Sequence, residues 1–315
     1  MFAVIELVLP LFGLIFLGFA AGRIVRIPYE GLAWMNFFIV YVALPPLFYR
    51  LLSTTPVEQF ANVGFIAVSL FATLLVFVLI FILSGLLNGG NVAESTIQGL
   101  ASAYGNIGYM GPPLALAALG PQAGVPVALI FCFENAMHFI LAPLLMSLHG
   151  EERRPAGQLA RDIVVKIFTH PFIIATIVGV MAAIFKVQLP SSVNSLLTFL
   201  SGAAAPCALF AMGVTAALRP LKRVPAELGY IVPVKLIVHP LLVYVLMETL
   251  LPGFDRIWVF TAVLLAALPT ATNVFVIAQQ YEVWQERASS AVVVSTLAAT
   301  ATVTGLLYLM LNVVA

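Results

Sequence analysis

Long apolar runs separated by short polar punctuation dominate the chain. Ten such runs fall at about 3–22, 31–52, 62–87, 95–119, 123–149, 163–185, 191–217, 226–251, 256–281 and 287–313. Each approaches the roughly 20 apolar residues with which an α-helix crosses a bilayer. The stretch from Phe65 to Phe81 is apolar on every face, whereas a membrane β-barrel would show segments of about ten residues alternating with period two. In lipid, such runs form helices, which satisfy their own backbone hydrogen bonds. The pattern predicts an all-α polytopic membrane protein of ten transmembrane helices.

Composition agrees with that pattern. Of 315 residues, 62% are hydrophobic and only 9% charged, with a mean hydropathy of +1.10; soluble domains are roughly 45–50% apolar and about 25% charged. Fourteen Lys/Arg against thirteen Asp/Glu give a net charge of +1, so no basic field for nucleic acid is expected. The longest hydrophilic stretch runs only from Gly150 to Asp162, too short for a soluble domain. Cys132 and Cys207 stand in apolar runs without partner spacing, so neither a disulfide framework nor a metal site is expected. No cofactor motif is present. The opening residues carry no positive charge ahead of the first run, which is read as a retained span rather than a cleaved signal.

Charge in the connections sets an orientation. With the N-terminus outside, the inner connections hold Arg23, Arg26, Arg153, Arg154, Arg161, Lys166, Arg219, Lys222, Arg223 and Arg287, and the outer ones only Arg50, Lys186 and Arg256. This bias predicts both termini outside the plasma (inner) membrane. The segment 150–162 is then a cytoplasmic linker between a first five-helix repeat, 1–149, and a second, 163–315. A shift of 161 residues brings Pro10 onto Pro171, Gly18 onto Gly179 and Pro45 onto Pro206; a shift of 157 brings Pro112 onto Pro269. Because five is odd, the second repeat enters the membrane from the opposite side, giving an inverted-topology repeat.

Two runs are interrupted in matching places. The fourth contains Tyr104-Gly-Asn-Ile-Gly-Tyr-Met-Gly-Pro-Pro-Leu114, and the ninth Leu268-Pro-Thr-Ala-Thr-Asn-Val-Phe275. Proline removes a backbone donor and clashes with the carbonyl four residues earlier, and glycine costs about 1 kcal/mol of helix propensity. Backbone unwound at membrane depth must be buried in protein or line a cavity. Broken helices in corresponding positions of two repeats mark the binding site of a carrier, with half-helix N-termini available to an anion. Candidate substrate contacts are Asn106, Gly108, Tyr109, Gly111 and Pro112 in the first break, and Pro269, Thr270, Thr272 and Asn273 in the second. The two Asn amides have an alternative role, satisfying carbonyls freed by the breaks.

Ionisable groups inside apolar runs cost about 2.5–3.5 kcal/mol on insertion scales and mark function by default. Glu134 and His138 lie four apart in the fifth run, and Lys235 and His239 repeat that spacing in the eighth, so each pair shares a helix face. Two roles are open to Glu134: a charge pair with Lys235, or a proton carrier. Gly18 to Gly22 forms a small-xxx-small packing motif.

The two interrupted segments, together with Gly202-Ala-Ala-Ala-Pro206 and Ala208-Leu-Phe-Ala-Met-Gly213, resemble the auxin efflux carrier family, which includes plant PIN-type carriers and bacterial permeases for malonate and similar acids. The resemblance spans nearly the whole chain. It implies a ten-span fold of the bile acid/sodium symporter superfamily. Spans one, two, six and seven would form a scaffold that dimerises, and the other six a transport domain in which spans four and nine cross and move as an elevator. Gly111 stands where the plant carriers have a second Asn. Thr270-Ala-Thr-Asn273 lacks the carboxylate that follows the ninth-span break in sodium-coupled members, which disfavours sodium coupling. The expectation is a secondary carrier of small organic anions, with a carboxylate as partner in a lipid bilayer, driven by protons or membrane potential; a sodium symporter of a bulkier amphipathic acid of the bile-acid type is the alternative. No His-Glu-x-x-His or Gly-x-Ser-x-Gly pattern supports an enzyme, and no connection is long enough for the output domain of a sensor.

Overall fold

A computed structural model describes residues 2–25, 28–147, 155–218 and 224–314. Part of the anticipated linker and the basic residues Arg26, Arg153, Arg154, Arg219, Lys222 and Arg223 lie outside this set. Thirteen helices follow one another in the described residues: α1 (Phe2–Val25), α2 (Ala33–Ser53), α3 (Val63–Leu87), α4 (Val92–Ala103), α5 (Gly111–Leu119), α6 (Gly124–Ser147), α7 (Ala156–Phe168), α8 (Pro171–Ile184), α9 (Ser191–Leu218), α10 (Leu228–Leu250), α11 (Arg256–Ala266), α12 (Thr272–Gln280) and α13 (Gln285–Val314). Six helices are long and apolar enough to span a membrane, and α7 with α8, bent by 60°, would make a seventh.

The expected interruptions occur. The fourth run is α4 and α5 with a break between them, and the ninth is α11 and α12 with a break between them. The sixth run differs from its simple reading as one span. Residues from Ala156 onward, anticipated as linker, already form a helix. In α7 only Leu159, Ile163 and Ile167 are partly covered, one stripe at four-residue spacing. The chain then turns at His170, which is extended because it precedes Pro171.

Proline also reshapes helices that stay continuous. Residues Phe38–Ala43, just ahead of Pro45 and Pro46, and Val234–Val238, just ahead of Pro240, are π-helical. A proline ring repels the carbonyl four residues earlier, and widening the turn relieves that clash. The polarity of α3 is inside-out relative to a soluble helix. Phe71 and Leu79 are about half exposed while Ser69, Thr73 and Ser84 are buried, as expected where lipid is the solvent.

α1 packs along α9, and α2 against α8 and α9. Glycines permit both close approaches. A Cβ on Gly18 would lie 2.1 Å from the Phe210 carbonyl oxygen, and one on Gly213 2.0 Å from that of Ile15. A Cβ on Gly179 would lie 3.2 Å from the Tyr49 carbonyl oxygen and 3.0 Å from the Leu52 Cβ. The shift of 161 residues carries Gly18 to Gly179, Tyr49 to Phe210 and Leu52 to Gly213. The α1–α9 contact therefore has its counterpart in the α8–α2 contact, residue for residue.

Candidate functional site

The two breaks meet. Asn106 N–H donates to the Pro269 carbonyl at 2.8 Å and Ala271 N–H to the Tyr104 carbonyl at 2.9 Å, making an antiparallel bridge between Gly105 and Thr270. Backbone groups freed by each break are thus satisfied by the other, as burial requires. Thr270 is consumed in this junction: its hydroxyl donates to the Ala101 carbonyl at 2.7 Å and its N–H to Ser295 Oγ at 3.1 Å.

Beside the junction lies a cavity of about 90 Å³, lined from the first break by Tyr104 through Tyr109, from the second by Ala271, Thr272 and Asn273, and from elsewhere by Val40, Phe131, Asn135, His170 and Phe172. That volume is about three waters' worth of liquid. α12 begins at Thr272, so its positive dipole end lies at this cavity. The lining side chains are tied to one another. Asn273 Nδ2 donates to the Tyr104 hydroxyl at 2.8 Å, Tyr104 donates to Asn135 Oδ1, and Asn135 Nδ2 donates to the Phe131 carbonyl at 2.7 Å. Asn106 Nδ2 lies 3.1 Å from Met212 Sδ on α9.

Of the residues singled out from sequence, Asn106, Gly108, Tyr109, Thr272 and Asn273 line this cavity together. Gly111, Pro112, Pro269 and Thr270 do not. Gly111 makes room for α11, since a Cβ there would lie 2.8 Å from Leu265 Cδ2, and Pro112 occupies the first turn of α5, where an N–H is dispensable. Sequence reasoning had not assigned cavity positions to Tyr104, Phe131, Asn135, His170 or Phe172. Only Tyr104 and Asn135, adjacent to the broken-run motif and to Glu134, carried a local signal.

Glu134, His138 and Lys235 form a second layer behind the cavity. Tyr104 separates the two, its ring stacked on His138 with centroids 4.1 Å apart. Glu134 and Lys235 are not in direct contact; a chain of polar side chains joins them. Glu134 Oε1 accepts from Thr73 at 2.9 Å and Ser69 at 3.3 Å, Thr73 Oγ1 lies 3.1 Å from His239 Nε2, and Lys235 Nζ lies 3.2 Å from His239 Nδ1. Lys235 Nζ also donates to the Ala266 carbonyl at 2.5 Å. Ala266 ends α11, so the ammonium meets the negative end of that half-helix. Two larger cavities flank the junction: one of about 710 Å³ beside the start of α11, with Arg50, Asp255 and Trp258, and one of about 840 Å³ beside the end of α12, with Glu227, Gln279 and Arg287.

Apolar helices exposing their hydrophobic faces, with two broken helices meeting at a small polar cavity, are the build of an integral membrane transporter, and the comparison with known proteins makes this class definite. The chain belongs to the family described as membrane transport protein, whose model matches residues 3–307, in keeping with the likeness to auxin efflux carriers. A relative from Rhizobium meliloti (strain 1021), 58% identical over 303 residues covering 96% of this chain and 94% of its own, bears the name "Putative malonate transporter".

Proposed function

We propose that the protein is a secondary carrier of small carboxylates, malonate among them, that binds its substrate at the meeting point of the two breaks. The cavity between Asn106, Tyr109, Thr272 and Asn273 carries this reading: it offers amide and hydroxyl donors and a helix N-terminus, and none of its lining residues is Asp or Glu. The relative's name supports malonate. A cavity of about 90 Å³ suits a three-carbon diacid and leaves no room for a bile-acid-sized molecule.

The proposed architecture is ten spans in two inverted repeats, 1–149 and 163–315 about the linker 150–162, with both termini outside the plasma membrane. The matched pairs Gly18 with Phe210 and Gly179 with Tyr49 support the inversion, because exchange of the repeats exchanges the two contacts. The packing of α1, α2, α8 and α9 suits a scaffold and homodimer interface, against which the domain holding the breaks moves as an elevator. The flanking cavities are the approaches from either side. The chain from Glu134 through Thr73 and His239 to Lys235 supports proton coupling, while efflux of an anion can also run on membrane potential, worth about 2.3 kcal/mol per charge per 100 mV.

Uptake of radiolabelled malonate by proteoliposomes tests the reading, since it registers electroneutral and electrogenic transport alike. Uptake should saturate with malonate and proceed across a pH series without sodium. Its absence with every C2–C5 carboxylate overturns the carrier assignment; uptake only with sodium overturns the proposed energetics.

A further inference from the structure

The cavity has a wall that the sequence did not foreshadow. His170 stands at the elbow between α7 and α8, before Pro171, in an extended conformation. Its carbonyl accepts from Ile174 N–H at 3.0 Å, which anchors the elbow. The ring sits among Phe131, Phe139 and Phe172, with centroids 6.3, 5.4 and 5.0 Å away, and forms part of the lining of the cavity that the two breaks also line. Among the described residues, its buried Nδ1 has no hydrogen-bond partner. Leaving a buried polar atom unpaired is costly, and native structures keep few such atoms without a reason.

The remaining polar lining is neutral amide, hydroxyl and phenol: Tyr104, Asn106, Tyr109, Asn135, Thr272 and Asn273. α6 turns Phe131, Asn135 and Phe139 toward the ring, and the cation closest along its own chain, Lys166, sits over the Phe139 ring at 5.1 Å. His170 is thus the one cavity group able to bear a positive charge, and even as neutral imidazole it keeps one N–H to donate. A diacid filling a cavity this small touches most of its lining at once, so that with one carboxylate on the amides and the α12 N-terminus at the breaks, the other comes within reach of the imidazole.

We propose that His170 is the specificity-determining ligand for the second carboxylate of a dicarboxylate substrate, donating an imidazole N–H to it while the breaks hold the first. This rests on the carboxylate-carrier reading above and adds the residue that selects a dicarboxylate over a monocarboxylate. A monocarboxylate of similar length would fill the break side and leave His170 unpaired, so the site should discriminate between the two by this contact.

The test is binding by the purified full-length protein, measured by isothermal titration with malonate and with isovalerate, which has an isopropyl group in place of the second carboxylate, for the native chain, His170→Leu and His170→Gln. The native chain should prefer malonate at least tenfold. His170→Leu should lose most of that preference, and His170→Gln, which keeps an N–H donor, should recover part of it. Unliganded melting temperatures of both variants, read beside the titrations, separate misfolding from lost recognition. An equal fall for both ligands in a folded variant, or malonate preference retained in His170→Leu, overturns the proposal. A native chain that binds isovalerate but not malonate overturns it and leaves the carrier reading standing. Failure to bind any carboxylate brings down the carrier reading itself.

Discussion

Tyr104 does two jobs at the residue scale. Its carbonyl accepts from Ala271 N–H to join the breaks, and its hydroxyl links Asn273 to Asn135 across the cavity. Tyr104→Phe would strip a partner from the buried Asn135 amide and the half-buried Asn273 amide, at a cost of about 1–3 kcal/mol. It should lower the melting temperature and loosen malonate binding together; unchanged values for both would remove the hydroxyl from the site. Asn106 differs, because its backbone joins the breaks while its side chain meets only the soft Met212 thioether. Asn106→Ala should therefore leave the unliganded protein folded and abolish its stabilisation by malonate, a thermal-shift measurement that unaltered stabilisation would contradict. The two open roles for the Asn amides divide here. Asn273 ties a neighbouring side chain, Asn106 faces the cavity, and neither caps a freed carbonyl: those of Tyr104 and Pro269 are met by backbone N–H groups of the opposite break.

At the scale of elements, small residues set how closely helices approach. Gly213 receives α1 with no space for a methyl, because the Ile15 carbonyl oxygen occupies it; backbone cannot yield as a side-chain tip can. Gly213→Ala should destabilise by about 1–3 kcal/mol through overpacking. Gly202, on the same helix, has nothing within 4 Å of a built Cβ, so Gly202→Ala should be neutral or stabilise by up to about 1 kcal/mol through helix propensity. Equal denaturation midpoints for the two variants would discount the close approach. The Gly18 to Gly22 motif was legible in sequence as a packing face, but its partner was not. That α9 and not another helix receives it depends on contacts nearly 200 residues apart.

On the scale of the whole molecule, the buried ionisable groups bear on the proposed proton coupling. The sequence leaves Glu134 either a charge pair with Lys235 or a proton carrier, and the fold places Thr73 and His239 between the two. The π-helical stretch ahead of Pro240 holds Lys235 and leads directly into His239. Glu134→Gln keeps an acceptor for Thr73 but cannot bind or release a proton. Transport by this variant in proteoliposomes should lose most of its dependence on pH; a profile superimposable on the native one would assign Glu134 to structure alone.

Apolar periodicity, the two proline-bearing interruptions and the matching glycines are local properties, written into runs of consecutive residues. They were sufficient to anticipate an all-helical membrane chain, the positions of both breaks and five of the residues that line the cavity, and the resemblance of the interrupted segments supplied the carrier family. The sixth run, with its helical linker end and its turn at His170, was read too simply, because a single X-Pro step bends the chain while barely changing hydropathy. Which side chains the cavity brings together, what lies between Glu134 and Lys235, and the arrival of His170 in the lining that the breaks share were decided only in three dimensions. Side chains that meet across a membrane bundle are distant in sequence, and their meeting is set by crossing geometry and close glycine contacts that no local pattern encodes.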